Sequence, residues 1–453
     1  MAKFSVILAL GLLLSPVPAS QPQPQIAEEV APCGKEEFRI ALEEVQRQQS
    51  EDLYKVADAV LQAGGTEMDF FRLMQQAGES GNPVAQMFLA RHALQSASGE
   101  LPVNGASPAQ AKARELMMAA ADSGYIPALV EIAHFIGSGI GASADEAEAM
   151  RYLMKACEAG SPRARAAYLL LTGRLDDGSF DAPEVQSELR KNNFYLEEVI
   201  ASLYGDNPEA LVWLEQAAAH GSATAPFLLG QRKVQMDTAA AGELLMLAAE
   251  RHLPEALAAQ GVQELNQGRQ ESGLRKLQLS FMLGYVPAVV TVAAEYMKHP
   301  ETYGAERVYD LYTMGAALHD GRASVARAYC LVTGRGCSPA PEMGVNILHQ
   351  LAENGNPFAY VALADLYFNG CGVTPNMMKA VSYLGEAAAA GFPNAYVLMA
   401  VMTQLGNSSA APDAVRAELY LKMAEERGET DARRLFDTMI QQKTWHFLPP
   451  VQK

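Results

Sequence analysis

The sequence predicts an all-α solenoid of about ten antiparallel helix pairs, and three features carry that prediction. Glycine, or a stand-in for it, recurs at Gly81, Gly124, Gly160, Gly221, His252, Gly284, Gly321, Gly355, Gly391 and Gly428. Small residues keep fixed offsets from that anchor: eleven before it (Ala113, Ala149, Ala380), four before it (Ala77, Ala120, Ala387) and four after it (Ala85, Ala128, Ala395). Most anchors lie 31 to 37 residues apart, room for two helices and two turns.

The elements follow in order. Lys3, the apolar run Phe4 to Leu14 and the small residues Val17 and Ala19 predict a secretory signal peptide over residues 1–20. The run is too short to span a bilayer. Residues 21–50, opening "QPQPQIAEEVAPCG", read as a linker and an N-terminal helix. The repeats then occupy residues 51–441. Within each, positions eleven and four before the anchor fall on one helix face two turns apart, so a neighbouring helix can approach closely. The anchor glycine suits the left-handed residue that ends a helix. Links such as "GNPVA" and "GSPRA" put proline in the first turn of the next helix. Two gaps break the period. From Gly81 to Gly124 the spacing is 43, with an enlarged loop "QSASGELPVNGASPAQ". From Gly160 to Gly221 it is 61, and apolar residues at helical spacing (Leu189, Leu196, Ile200) predict an inserted helical segment at about 175–206 on the solenoid surface. A degenerate half-repeat that only packs is the competing reading. Residues 442–453, with Trp445 and Phe447, form a C-terminal tail.

The unit "AYVALADLYFNGCGVTPNMMKAVSYLGEAAAAG" resembles a Sel1-like repeat, a tetratricopeptide-related helix pair. Ala359, Leu363, Ala364, Tyr367, Gly370, Gly372, Lys379, Ala380, Ala387 and Gly391 stand where that pattern expects them. The unit ending at Gly160 repeats it with Gly139, Gly141, Ala149 and Lys155. The resemblance implies a right-handed α-solenoid that works as a scaffold. Secreted relatives with reported penicillin-binding or β-lactamase activity staple each unit with cysteines eight residues apart. Here Cys157 meets Arg165 at the second position, so that framework is absent.

The charge balance is 35 basic against 52 acidic residues, a net −17, with no basic block. That argues against nucleic acid and anionic membrane surfaces as partners. Among the eight histidines no H-E-x-x-H pair occurs, and phosphate-loop, dinucleotide, nucleophile-elbow and S-x-x-K motifs are missing. The sequence therefore points to no catalytic residue, no metal and no cofactor. Five cysteines leave at least one unpaired. Cys337 and Cys371, in loops of adjacent repeats, are the candidate disulfide, with Cys330–Cys337 as competitor. Tyr360, Phe368 and Tyr396, placed past the small column on the first helix of their repeats, are the candidate contacts for a protein partner. The expectation is a non-enzymatic scaffold or adaptor, periplasmic or secreted, binding its partner in a concave groove. A cell-wall ligand-binding or hydrolysing protein and a polysaccharide-export scaffold are the alternatives.

Overall fold

The computed structural model describes residues 53–96, 107–175, 180–205, 207–233, 237–392 and 394–442. The expected signal peptide, the linker with Cys33, residues 97–106 of the enlarged loop and the tail from 443 lie outside them. The chain divides into two units, one ending at Ala288 and the other beginning at Val289.

The first unit holds α1 (Leu53–Gln62), α2 (Glu67–Glu79), α3 (Pro83–Ser96), α4 (Pro108–Asp122), α5 (Ile126–Ser138), α6 (Glu146–Glu158), α7 (Pro162–Leu171), α8 (Pro183–Leu189), α9 (Phe194–Tyr204), α10 (Pro208–Ala219), α11 (Thr224–Lys233), α12 (Thr238–Glu250), α13 (Pro254–Asn266) and α14 (Gln270–Met282). Starts and stops are local chemistry. Thr66 and Ser107 form capping boxes with Asp69 and Gln110, and Asp145, Ser161 and Asn207 cap their helices through side-chain oxygens. Each helix that ends at an anchor glycine is followed by a left-handed turn, as at Gly81, Gly124 and Gly160.

The small columns mark where backbones meet. Gly273, eleven before Gly284, faces Gly261 of α13, so that a Cβ on it would lie 2.8 Å from the Gly261 carbonyl oxygen. One register step on, the Ser280 hydroxyl donates to the Pro254 carbonyl at 2.7 Å. These two contacts fix α13 and α14 as an antiparallel pair. Ala113, Ala120, Ala149, Ala156, Ala210 and Ala217 are buried at the equivalent positions.

The structure corrects the surface insertion. Asn192 adopts a left-handed φ of 55° at the end of α8 and its flanking residues, as an anchor does. The long gap is thus two repeats, anchored at Asn192 and Gly221. The first has a shortened second helix, α8, and α9 then pairs with α10. Val185, Leu196 and Ile200 are fully buried in one cluster, so this segment is inside the stack and does not decorate it.

The first unit also closes on itself. Phe70, Leu73 and Met74 of α2 share a core with Ala256 of α13 and Leu279 and Met282 of α14. Arg275 holds Asp58 at 2.5 Å, Gln278 donates to Glu67 at 2.8 Å, and Tyr54 stacks on His252 with centroids 3.5 Å apart. Burial against nearest neighbours alone does not describe this unit.

The second unit holds α15 (Ala288–Lys298, entering at its second residue), α16 (Pro300–Tyr303), α17 (Ala305–Ala317), α18 (Gly321–Thr333), α19 (Pro341–Glu353), α20 (Pro357–Asn369), α21 (Met377–Ala389), α22 (Ala395–Leu405), α23 (Ala414–Glu426) and α24 (Ala432–Gln442). Helix pairs α18/α19, α20/α21 and α22/α23 repeat the antiparallel motif, with α24 packed on the last pair. The anchor expected at Gly321 sits instead at His319, whose φ is 59°, while Gly321 opens α18. The small column there becomes Gly315 and Ala323, so close that a Cβ on Gly315 would lie 2.6 Å from that of Ala323. In the Gly-x-Gly turns, Gly334 and Gly370 cap their helices in the left-handed region. The second glycine abuts the opening turn of an earlier helix: Gly336 meets Ala305, and Gly372 meets Pro341. Both units are α-solenoids of helix pairs, and among the described residues no strand occurs.

Candidate functional site

Tyr360 and Tyr396 stand five residues past their anchors, at the start of α20 and α22. Both are half-buried. Tyr360 stacks on Tyr383 of α21 with centroids 6.5 Å apart, and Tyr383 stacks in turn on Tyr367 at 5.6 Å. The Tyr383 hydroxyl lies 3.5 Å from Nδ1 of His349, and the Lys379 ammonium sits 4.8 Å from the centroid of Tyr367. Arg427 covers the Tyr396 ring at 4.7 Å. Two aromatic patches result, the Tyr360–Tyr383–Tyr367 stack beside the turn into α20 and Tyr396 beside the turn into α22, each with a cation over a ring; together they are termed the aromatic ledge. Burial raises the Tyr383 phenol above its ordinary value.

Phe368 does not join them. It is 7% exposed, the last of an unbroken buried run from Val361 to Phe368. Helix α20 is enclosed on every side over that run, and so is α22 from Val397 to Thr403. An open wall along these helices, which the sequence led one to expect, is therefore replaced by the ledge at their first turns. Neither candidate disulfide is formed in the structure: Cys157, Cys330, Cys337 and Cys371 are unbonded. Cys337 turns back on its own repeat, with Sγ 3.6 Å from the Cys330 carbonyl oxygen. Burial pushes the Cys330 thiol up to about 12.

A second feature lies in the first unit, where the repeat pattern breaks. Counting from Asn192, the position four before the anchor is Glu188, where most other copies carry alanine. Its carboxylate is buried and accepts from Arg165 at 3.2 Å, Lys191 at 2.7 Å and Asn193 at 3.1 Å. Although burial pushes this carboxyl up, those partners outweigh it and hold it below its usual range. A cleft of 340 Å³ opens beside it, lined also by Asn192, Phe194, Tyr195 and His220. The sequence did carry its signal. Asparagine is the residue after glycine that most readily enters the left-handed region, so "KNNF" could have been recognised as an anchor.

A third feature is a charge ladder along α3, α5 and α7. Glu131 accepts from Arg91 at 3.0 Å and Arg163 at 2.9 Å. Burial alone would raise its carboxyl, but the two guanidiniums hold it down at about 2. Such a network ties α3, α5 and α7 together across successive repeats. Among the described residues no group of three His, Cys, Asp or Glu side chains is set to hold a metal ion. None of their helices is long and apolar enough to cross a membrane.

Against known families, the Sel1 repeat matches residues 126–161, 202–222, 321–356, 357–392 and 393–429. The pairs built from α1–α4 and α11–α14 fall outside the matches although they fold alike. No curated protein matches. Among solved structures, a protective antigen present in uropathogenic Escherichia coli strains that displays an SLR fold is 16% identical, with a TM-score of 0.41, over 92% of each chain. A Sel1 repeat protein from Oxalobacter formigenes is 19% identical with a TM-score of 0.29, over 58% of this chain and 96% of that one. Sel1 repeats typically mediate protein–protein interaction, on a fold that is generally a non-catalytic scaffold. The chain thus carries five Sel1 repeats, two in the first unit and three in the second.

Proposed function

We propose that this protein is a non-enzymatic adaptor, exported to the cell envelope or beyond, that holds a protein partner against the aromatic ledge of its second unit. The observation that carries the reading is the pairing of Tyr360 and Tyr396. They hold the same repeat position on the first helices of successive repeats, half-buried, one stacked on Tyr383 and the other covered by Arg427. Rigid, partly exposed aromatics set in a packed frame lose little entropy on binding and are the side chains most often found at the energetic centre of interfaces. The export half rests on Lys3 and the apolar run that follows it.

The test is capture on the immobilised mature chain from the envelope fraction of its own cell. The expected result is one protein recovered near equimolar amounts and lost from the variant carrying both Tyr360→Ala and Tyr396→Ala. Labelling by a penicillin or a muropeptide, with no protein recovered, would move the function to cell-wall ligands.

A further inference from the structure

We propose that the cleft beside Glu188 is a second binding site, for a peptide segment that bears a carboxylate. Its origin is the broken column. In the other copies, Leu351 excepted, the position four before the anchor is alanine, glycine or serine and lets helices touch. Here a glutamate occupies it, the helix that carries it is shortened to Pro183–Leu189, and the space stays open. Burying a carboxylate there is tolerable only with cations beside it, and two are supplied, from Arg165 and Lys191. Two cations on one carboxylate leave one positive charge unmatched among the residues lining the cleft.

The donors are arranged to use it. Lys191 is bonded to Glu188 through one of its three N–H groups, and Arg165 through NH1 alone. Both side chains remain about half exposed, at 55% and 43%. His220 also lines the cleft. Its Nδ1 is held at 2.8 Å by the buried Glu197, leaving Nε2 as the ring's remaining polar atom. The Phe194 and Tyr195 rings, 4.2 Å apart, give the cleft an apolar wall for a neighbouring side chain. A volume of 340 Å³ is at the small end for ligand sites and fits two or three residues of an extended chain. Arg165 also occupies, in α7, the repeat position that Tyr360 and Tyr396 hold in the second unit. The inference does not depend on the ledge.

The test is fluorescence polarisation of the full mature chain with the labelled peptide Gly-Ser-Glu-Leu-Glu-Ser-Gly and its glutamine counterpart, Gly-Ser-Gln-Leu-Gln-Ser-Gly. The glutamate peptide should bind at least about tenfold tighter, since a charge-assisted hydrogen bond exceeds a neutral one by that order. Asn192→Asp, which puts a negative charge on the rim and keeps a residue tolerant of the left-handed region, should weaken it by about tenfold. Lys191→Met should do the same, while Tyr360→Ala should leave it unchanged. Equal binding of the two peptides, no binding of either, indifference to both cleft variants, or full displacement by millimolar inorganic phosphate would each overturn the proposal. Asn192→Asp keeps the test independent of folding, because the residue is exposed and leaves the Glu188 contacts in place.

Discussion

Three glycine-to-alanine substitutions should move stability in opposite directions, and the sign of each follows from the backbone spacing. Alanine is favoured over glycine in a helix interior by about 1 kcal/mol. At Gly242 in α12 a new Cβ would find nothing within 4 Å, and at Gly385 in α21 only the Met399 terminal carbon at 3.9 Å. Both variants should gain, by about 0.5–1 kcal/mol. At Gly273 the same methyl would lie 2.8 Å from the Gly261 carbonyl oxygen and 2.9 Å from the Leu265 amide nitrogen, both of them backbone. To reach an ordinary contact, α13 and α14 must part by roughly half an ångström, which forfeits about a quarter of each dispersion contact across the seam. Overpacking of that kind costs about 1–3 kcal/mol and exceeds the propensity gain, so Gly273→Ala should lose ~1 kcal/mol net. Guanidinium unfolding followed by far-UV circular dichroism reads all three. Gly242 and Gly273 share a unit and are the cleanest comparison. If all three shift the same way, the small columns are not contact lines and the reasoning behind the fold fails.

Acid should destabilise the first unit in two windows. Burial lowers His92 to about 4 from an ordinary 6.5, so the unfolded chain binds its proton first. The stability this gives is present above pH 6.5 and drains away down to about pH 4, by at most ~3 kcal/mol. His92→Leu should flatten that part of a pH-dependent melting series. Glu131, held at about 2, adds a loss below its ordinary 4.5, which Glu131→Gln should remove. Phe281→Ala empties a fully buried site against Phe71 and should cost about 3–5 kcal/mol. Hydrogen exchange should then show α1 and α2 losing protection before α5 and α6. Iodoacetamide at neutral pH should leave Cys330 unlabelled in the native chain, since its thiol is buried and pushed up to about 12.

The helix pairs were legible because alanine and glycine have few other reasons to recur at three fixed offsets. What hid from that reading were anchors that are not glycine. Asn192 and His319 enter the left-handed region as glycine does, and missing them turned a repeat into an insertion and displaced one anchor by two residues. The closure of α2 onto α13 and α14 joins residues some two hundred positions apart, which no local pattern encodes. The partial exposure of Tyr360 and Tyr396 was legible because they stand in the first turn of their helices, the part left partly exposed. The burial of Phe368 was not, because whether a residue two turns further on reaches solvent depends on what encloses the helix. The cleft was missed for the same reason as Asn192.

The most direct test of the adaptor reading is site-resolved photo-crosslinking in the native envelope, with a photoreactive side chain placed in turn at positions 360, 396 and, as an exposed control, 353. The account predicts one protein crosslinked from 360 and 396 at near-equimolar yield and little from 353. Equal crosslinking from all three positions, or none from the ledge, would contradict it.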